Sequence, residues 1–141
     1  MDGKVFVSVE EKDFNVSEEL DKIKSLSSES GAVVLFVGKV RQNKQGNLDF
    51  LKIESFSEMA RKEITKICNQ SLKQWELECI VVKHRYGKLK PDDNIVLLIT
   101  SSAHRNNAYE ASMYIMGLLK SNVPFWKKEI SGKEEIWLEN N

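Results

Sequence analysis

The stretch Gly31-Ala-Val-Val-Leu-Phe-Val-Gly-Lys-Val40 constrains the fold more than any other part of this chain. It is almost continuously apolar and rich in β-branched side chains. Such side chains lose rotamer freedom in a helix and sit well on a pleated surface. A run that is apolar without alternation is the pattern of a strand covered on both faces, so the segment reads as a central strand.

The rest of the chain supplies neighbours for it. Val5, Val7 and Val9 alternate with polar residues between Lys4 and Glu10, a half-buried strand. Asn15-Val-Ser-Glu18 has the spacing of a helix capping box and opens a short helix through Leu26. After the polar turn Gln42–Gly46, Leu48–Phe56 returns as a strand, so a hairpin with the apolar strand is expected. Ser57 is expected to cap a long helix, with Ile64, Ile67, Cys68, Leu72 and Trp75 on one face. Cys79–His84 and Asn94–Thr100 read as strands separated by the turn residues Gly87 and Pro91-Asp-Asp. From about Arg105 to Lys120, Ala108, Ala111, Ser112, Ile115, Met116 and Leu119 recur at helical spacing. Pro124 ends that helix, and Phe125–Ile130 and Glu135–Leu138 read as short closing strands.

No repeat and no Pro/Gly/Ser-rich linker divides the chain. The expectation is one domain over residues 1–141. Its class is α+β: a mostly antiparallel sheet with two main helices packed on it, an arrangement like an α/β hammerhead. A domain of this length buries roughly 68–70% of the surface its unfolded chain exposes, enough for a core without staples.

Composition removes several functions. The 21 basic residues are balanced by 21 acidic ones, which argues against a nucleic-acid module held by a net basic face. No apolar run approaches the ~20 residues of a membrane span, and the first residues lack the apolar core of a signal peptide. A cytoplasmic protein without membrane contact is expected. The two cysteines, Cys68 and Cys79, match neither a redox pair nor a zinc knuckle. Two histidines in the whole chain make a bound catalytic metal improbable, and no cofactor is expected.

Cations gather beside rigid backbone in three places. Lys39-Val40-Arg41 ends the apolar strand, where an arginine fork suits a phosphate or carboxylate, or is simply a solvated charge. Ser102-Ala-His104-Arg105 stands where a helix begins. A cation is mildly unfavourable at a helix N-terminus, by about 0.3–1 kcal/mol, unless an anion is shared there. Two exposed neighbours of a hydroxyl cap would look the same. Lys120 closes that helix, where the dipole already favours a cation. Beyond it Pro124, Phe125 and Trp126 hold the backbone from which Lys127, Lys128 and Glu129 emerge. The apolar walls strengthen any charge interaction nearby.

Taken in order, Gly38-x-Val-Arg41, Glu54-x-Phe-x-x-Met59-Ala60, His84-Arg85-x-Gly87-x-Leu89, Ser102-x-His-Arg105-x-x-Ala108 and Leu119-Lys120-x-x-x-Pro-x-Trp-Lys127-x-Glu129 resemble the large, catalytic subunits of molybdopterin synthases, over about residues 31–138. The resemblance implies a sulfurtransferase. It would form a homodimer within a heterotetramer, each protomer binding a small ubiquitin-like sulfur-carrier subunit whose C-terminal thiocarboxylate enters a pocket. The implied substrate is cyclic pyranopterin monophosphate, which receives two sulfur atoms in successive steps to become the dithiolene. By the same resemblance Lys120 and Lys127 are catalytic. Lys39, Val40, Arg41, His104, Arg105, Lys128 and Glu129 join them in binding substrate, with the phosphate site drawing on both protomers. His84-Arg85 belongs to the pattern but reads as structural.

Two positions depart from the family. Lys44 stands where Asn is usual, and Gly117 where an acid is usual. Two other functions remain open on sequence: a non-catalytic adaptor that binds a ubiquitin-like partner near Pro124-Phe125-Trp126, and a phosphate-ester enzyme without sulfur chemistry.

Overall fold

The computed structural model describes residues 4–139, so the ends of the expected 1–141 domain lie outside the described residues. Along the chain run β1 (Lys4–Glu10), α1 (Val16–Lys24), β2 (Ala32–Lys39), β3 (Phe50–Ser55), α2 (Ser57–Gln74), β4 (Leu77–Arg85), β5 (Gly87–Leu89), β6 (Asn94–Ser102), α3 (Arg105–Ser121), β7 (Phe125–Ser131) and β8 (Glu134–Trp137). They build an α+β fold with two four-stranded sheets, ordered β1-β4-β6-β2 and β5-β3-β7-β8. Every pairing is antiparallel except β1 with β4, where Val5 lies opposite Ile80 and Val9 opposite His84.

One face of the first sheet is covered by helices. α2 packs across β1 and β4, α3 across β6 and β2, and the two helices touch. On the opposite face α1 lays Ile23 over Cys79, Val81, Leu97 and Ile99. The larger core runs from Ile64, Ile80, Val82, Leu98 and Ile115 without a break to Leu51, Ile53, Leu89 and Phe125, so it joins the two sheets. Asn15 caps α1 as expected, its side-chain oxygen accepting from the Glu18 N–H at 3.0 Å.

The expected hairpin of β2 and β3 does not form. Val40 is buried, and its N–H and C=O bond to the Asp93 carbonyl and the Asp92 N–H at 2.9 and 2.8 Å. The chain is thereby tied to the β5–β6 turn as it leaves β2. A loop closed by Gln42–Leu48 and Asn43–Asn47 hydrogen bonds then carries it into the second sheet.

Nor is β2 central. It is an edge strand, paired on one side only with β6, and Val33, Leu35 and Phe36 are 45%, 37% and 41% exposed. A continuous apolar run reports that both faces avoid water, without saying whether this copy of the chain covers them. Two smaller corrections follow from local geometry. Ser57 is the first residue of α2 rather than its cap; Phe56 holds the cap position with no side-chain bond. Gly87, read as part of a turn, starts the short strand β5 opposite Ile53, at a φ of +94° that favours glycine.

The direction of α3 decides the layout of the candidate site. β6 ends at Ser102 and α3 starts at Arg105, so the helix returns antiparallel along β6, with the Thr100 hydroxyl donating to the Ala108 carbonyl at 2.9 Å. Its start therefore lies at the Ala32–Ser102 end of the sheet, and its last turn at the Lys39–Asn94 end. At 1.5 Å per residue, Arg105 and Lys120 stand about 22 Å apart along the helix axis.

Within α3, Gly117 is exposed and nothing lies within 4 Å of where a Cβ would stand. Gly117→Ala is therefore expected to raise stability by about 0.5–1 kcal/mol, by restricting the unfolded chain without a clash. Urea unfolding of the two proteins measures it.

Candidate functional site

The start of α3 opens onto a shallow cavity whose lining suits an anion. His104 is the N-cap, with extended backbone (φ −122°, ψ 145°) and no side-chain cap bond, and the first turn carries no acid. The Ser102 hydroxyl instead donates to the His104 carbonyl at 2.5 Å, holding the entry to the helix. His104 and Arg105 are exposed and, with Gly31, Ala103 and Asn106, line an open cavity of about 480 Å³. Unpaired helix N–H groups, the dipole and a guanidinium here all favour an anion. Gly31 was not singled out from sequence. A Cβ there would collide with the Ala103 carbonyl oxygen, so this cavity needs glycine at that point. The only trace in the sequence is a glycine immediately before a β-branched run.

The opposite end of α3 holds the second group. Lys120 is exposed in the last turn, and Lys127 is half-buried on β7 opposite Ile53 of β3. Burial lowers the Lys127 pKa, and the charge of Lys120 lowers it further, so the two ammonium groups are near enough to repel. Arg41 leaves the end of β2 exposed and forms no ion pair with a described residue.

Three other residues expected here are differently occupied. Lys39 is bound to Asp92 across 2.6 Å. The Val40 side chain is part of the core. Lys128 points to the other face of β7 from Lys127, since side chains alternate along a strand. There it meets Glu135 at 3.4 Å and lies 4.8 Å from the Trp137 ring centre. Glu129 shares the Lys127 face and is half-buried. The structure thus brings Lys120 and Lys127 together at one end of α3 and His104 with Arg105 at the other.

His84 lies against the second group. The residue is 7% exposed, and its ring stacks on Phe125, two residues before Lys127, with centroids 3.7 Å apart and planes within 10°. Desolvation pushes its pKa down to about 4; the Arg85 carbonyl opposes this, and the Lys127 charge adds to it.

Against known families, residues 9–122 match the model described as "MoaE protein". This chain belongs to the MoaE family. It is 38% identical to a protein of Brucella melitensis named molybdopterin synthase catalytic subunit, over 96% of this chain and 91% of that one. A protein of the same name from Vibrio cholerae is 41% identical, covering 95% and 89%. Among solved structures, a molybdopterin synthase from Staphylococcus aureus superposes with a TM-score of 0.83 at 29% identity, covering 94% of this chain and 96% of that one. Among the described residues of this MoaE-family chain, no helix is long and apolar enough to cross a membrane.

Both cysteines are buried, and burial raises Cys68 to about 12 and Cys79 to about 11. Only a thiolate is a good nucleophile, so neither thiol is set up to carry sulfur near neutral pH.

A pH dependence of stability follows from His84. Unfolding returns it to the ordinary histidine value of 6.5, so below that pH the unfolded chain takes up a proton that the folded chain refuses until about pH 4. Stability from the neutral ring is complete above pH ~6.5 and declines as pH falls toward ~4, by on the order of 3 kcal/mol. His84→Phe should lose less stability than the wild type across that interval, as denaturant unfolding at each pH would show; parallel losses would contradict it.

Proposed function

We propose that this chain is the catalytic subunit of a molybdopterin synthase, acting in the cytoplasm as a sulfurtransferase. It takes sulfur from the C-terminal thiocarboxylate of a small ubiquitin-like carrier and adds it to cyclic pyranopterin monophosphate. Repeated on the neighbouring carbon, the transfer completes the dithiolene of molybdopterin. Membership of the MoaE family supports the synthase assignment, and two protonated, buried thiols favour a donor that arrives with its sulfur already activated.

The observation that carries the reading is the pair Lys120 and Lys127, two cations held at one end of α3 in a partly apolar setting. Thiocarboxylate and cyclic phosphate are both anions, and fixed cations offset their repulsion most strongly where water is scarce. A lysine with a lowered pKa also exchanges protons nearer neutral pH. Lys120 is assigned to the carrier-tail carbonyl and the reacting carbon, as proton donor or acceptor. Lys127 is assigned to the charge that develops as the cyclic phosphate opens.

The phosphate itself is assigned to His104 and Arg105, with Arg41 and the Lys127–Glu129 segment completing the substrate contacts. In one protomer about 22 Å of helix separates Arg105 from Lys120, farther than one small pterin reaches. A homodimer resolves this by placing the start of one protomer's α3 near the end of its partner's. Exposed Phe36 on β2, with Tyr109 and Met113 on the α3 side of the sheet, offers an apolar surface for such contact, while Val33 and Leu35 are exposed on the other face of the same edge strand. With one carrier on each protomer the assembly is a heterotetramer.

Lys120→Ala and Lys127→Ala are each expected to abolish product while leaving dimerisation unchanged. Incubation with thiocarboxylated carrier and pterin substrate, followed by mass spectrometry of the sulfur, checks this. Normal turnover in both variants refutes the roles. Carrier binding without transfer in the wild type would indicate an adaptor, and product formed without carrier a phosphate-ester enzyme.

A further inference from the structure

His84 joins the two sheets at the point where Lys127 leaves the backbone. It sits on β4 between Val9 of β1 and Val96 of β6, both buried. Its ring covers Phe125, the first residue of β7 and itself 4% exposed. Residues i and i+2 of a strand share a face, so Lys127 emerges on the side of β7 that carries this stack. The imidazole is also orientationally fixed. Nδ1 lies 2.8 Å from the Arg85 carbonyl, which only accepts, so Nδ1 holds the proton and Nε2 is bare.

The Arg85 carbonyl is in turn held by its own residue. Its guanidinium donates to the carbonyls of Glu11 and Asn94 at 3.0 and 3.1 Å, and the Tyr86 N–H donates to the Glu10 carbonyl. The end of β4 is thus tied to β1 and β6, and through the ring to β7.

We propose that His84 is a positioning residue for Lys127: its flat ring, clamped between the Arg85 carbonyl and Phe125, fixes the start of β7 so that the lysine stays in its half-buried place. The inference rests on the sulfur-transfer reading for its consequence, though not for its geometry. An aliphatic residue at 84 would fill space without a planar stack. A residue that is cationic at neutral pH would add a third positive charge beside Lys120 and Lys127. A neutral imidazole supplies the stack and the anchoring bond without the charge.

Lys127 reports whether the clamp works. The groups around it are Lys120 from α3, His84 from β4, Ile53 opposite on β3, Glu129 on its own face of β7, and the Leu138 N–H, which donates to its carbonyl at 2.8 Å. Burial is the main influence lowering its pKa, so a lysine released into solvent must titrate higher.

The test is NMR titration of the full chain with reductively ¹³C-methylated lysines, Lys127→Arg identifying the resonance. In His84→Ala the Lys127 midpoint is expected to rise toward that of a solvent-exposed lysine. Turnover with carrier and substrate should fall roughly ten- to a hundredfold in kcat with little change in KM. His84→Phe, which keeps the uncharged stack, should return both toward wild type, and Phe125→Leu should reproduce the His84→Ala shift with His84 intact. If His84→Ala does not fold, Phe125→Leu and His84→Gln carry the same comparison. A folded variant without the stack that titrates Lys127 as the wild type does overturns the proposal, as does His84→Phe behaving no better than His84→Ala. The titration needs neither carrier nor substrate, so its failure is separable from failure of the sulfur-transfer reading, which Lys127→Ala tests.

Discussion

A helix is rigid over its length, and α3 places what lies at its two ends at a fixed separation. Packed along β6 and β2 by Ala108, Ala111, Ile115 and Leu119, it cannot bend to bring Arg105 toward Lys120. The anion trap proposed at its start and the lysine pair at its finish are therefore held about 22 Å apart within one chain. Any small molecule that uses both must be contacted by two chains. The apolar edge of β2 stands at the same end of the sheet as the trap, since Ala32 and Val33 pair with Ser102 and Ser101. The strand that looks unfinished and the site that looks incomplete are neighbours, and one docking event would satisfy both.

At the other end the arrangement depends on keeping some charges occupied and others spare. Lys39 is matched with Asp92, and Lys128 is spent on Glu135 and Trp137, so neither adds to the repulsion around Lys127. His84 remains neutral because burial outweighs the carbonyl that would favour its proton. What is left is Lys120 acting on Lys127. In the proposed reaction, two cations meet two anions, while both thiols stay buried and protonated.

Much of this was legible in the chain itself. Period-two valines placed β1, and the apolar stripe of α3 was correct position by position, because each pattern reflects burial against a neighbour within the fold. Long-range pairing was not legible. The polar turn after Val40 looks like a hairpin turn, and only the bonds of Val40 to Asp92 and Asp93, some fifty residues away, send the chain elsewhere. The apolar run of β2 announced covered faces but could not say that the strand would lie at a sheet edge with Val33, Leu35 and Phe36 exposed. Among the site residues, the sequence pointed to the cations by type and could not show that Lys39 and Lys128 face other partners, since alternation along β7 depends on its register with β3 and β8. His84 read as structural because nothing near it in sequence completes a ligand set, and its contact, Phe125, lies forty-one residues further on.

The most direct test of a site shared between two chains is complementation between inactive variants. Lys127→Ala and Arg105→Ala damage opposite ends of α3. If each site takes its lysines from one protomer and its anion trap from the other, a mixed dimer contains one site with both defects and one with none. Equal mixtures unfolded and refolded together should recover about one quarter of wild-type sulfur transfer, since half of the dimers are mixed and half of their sites are intact. Mixtures as inactive as either variant alone, with mixed dimers demonstrably present, would contradict the shared site.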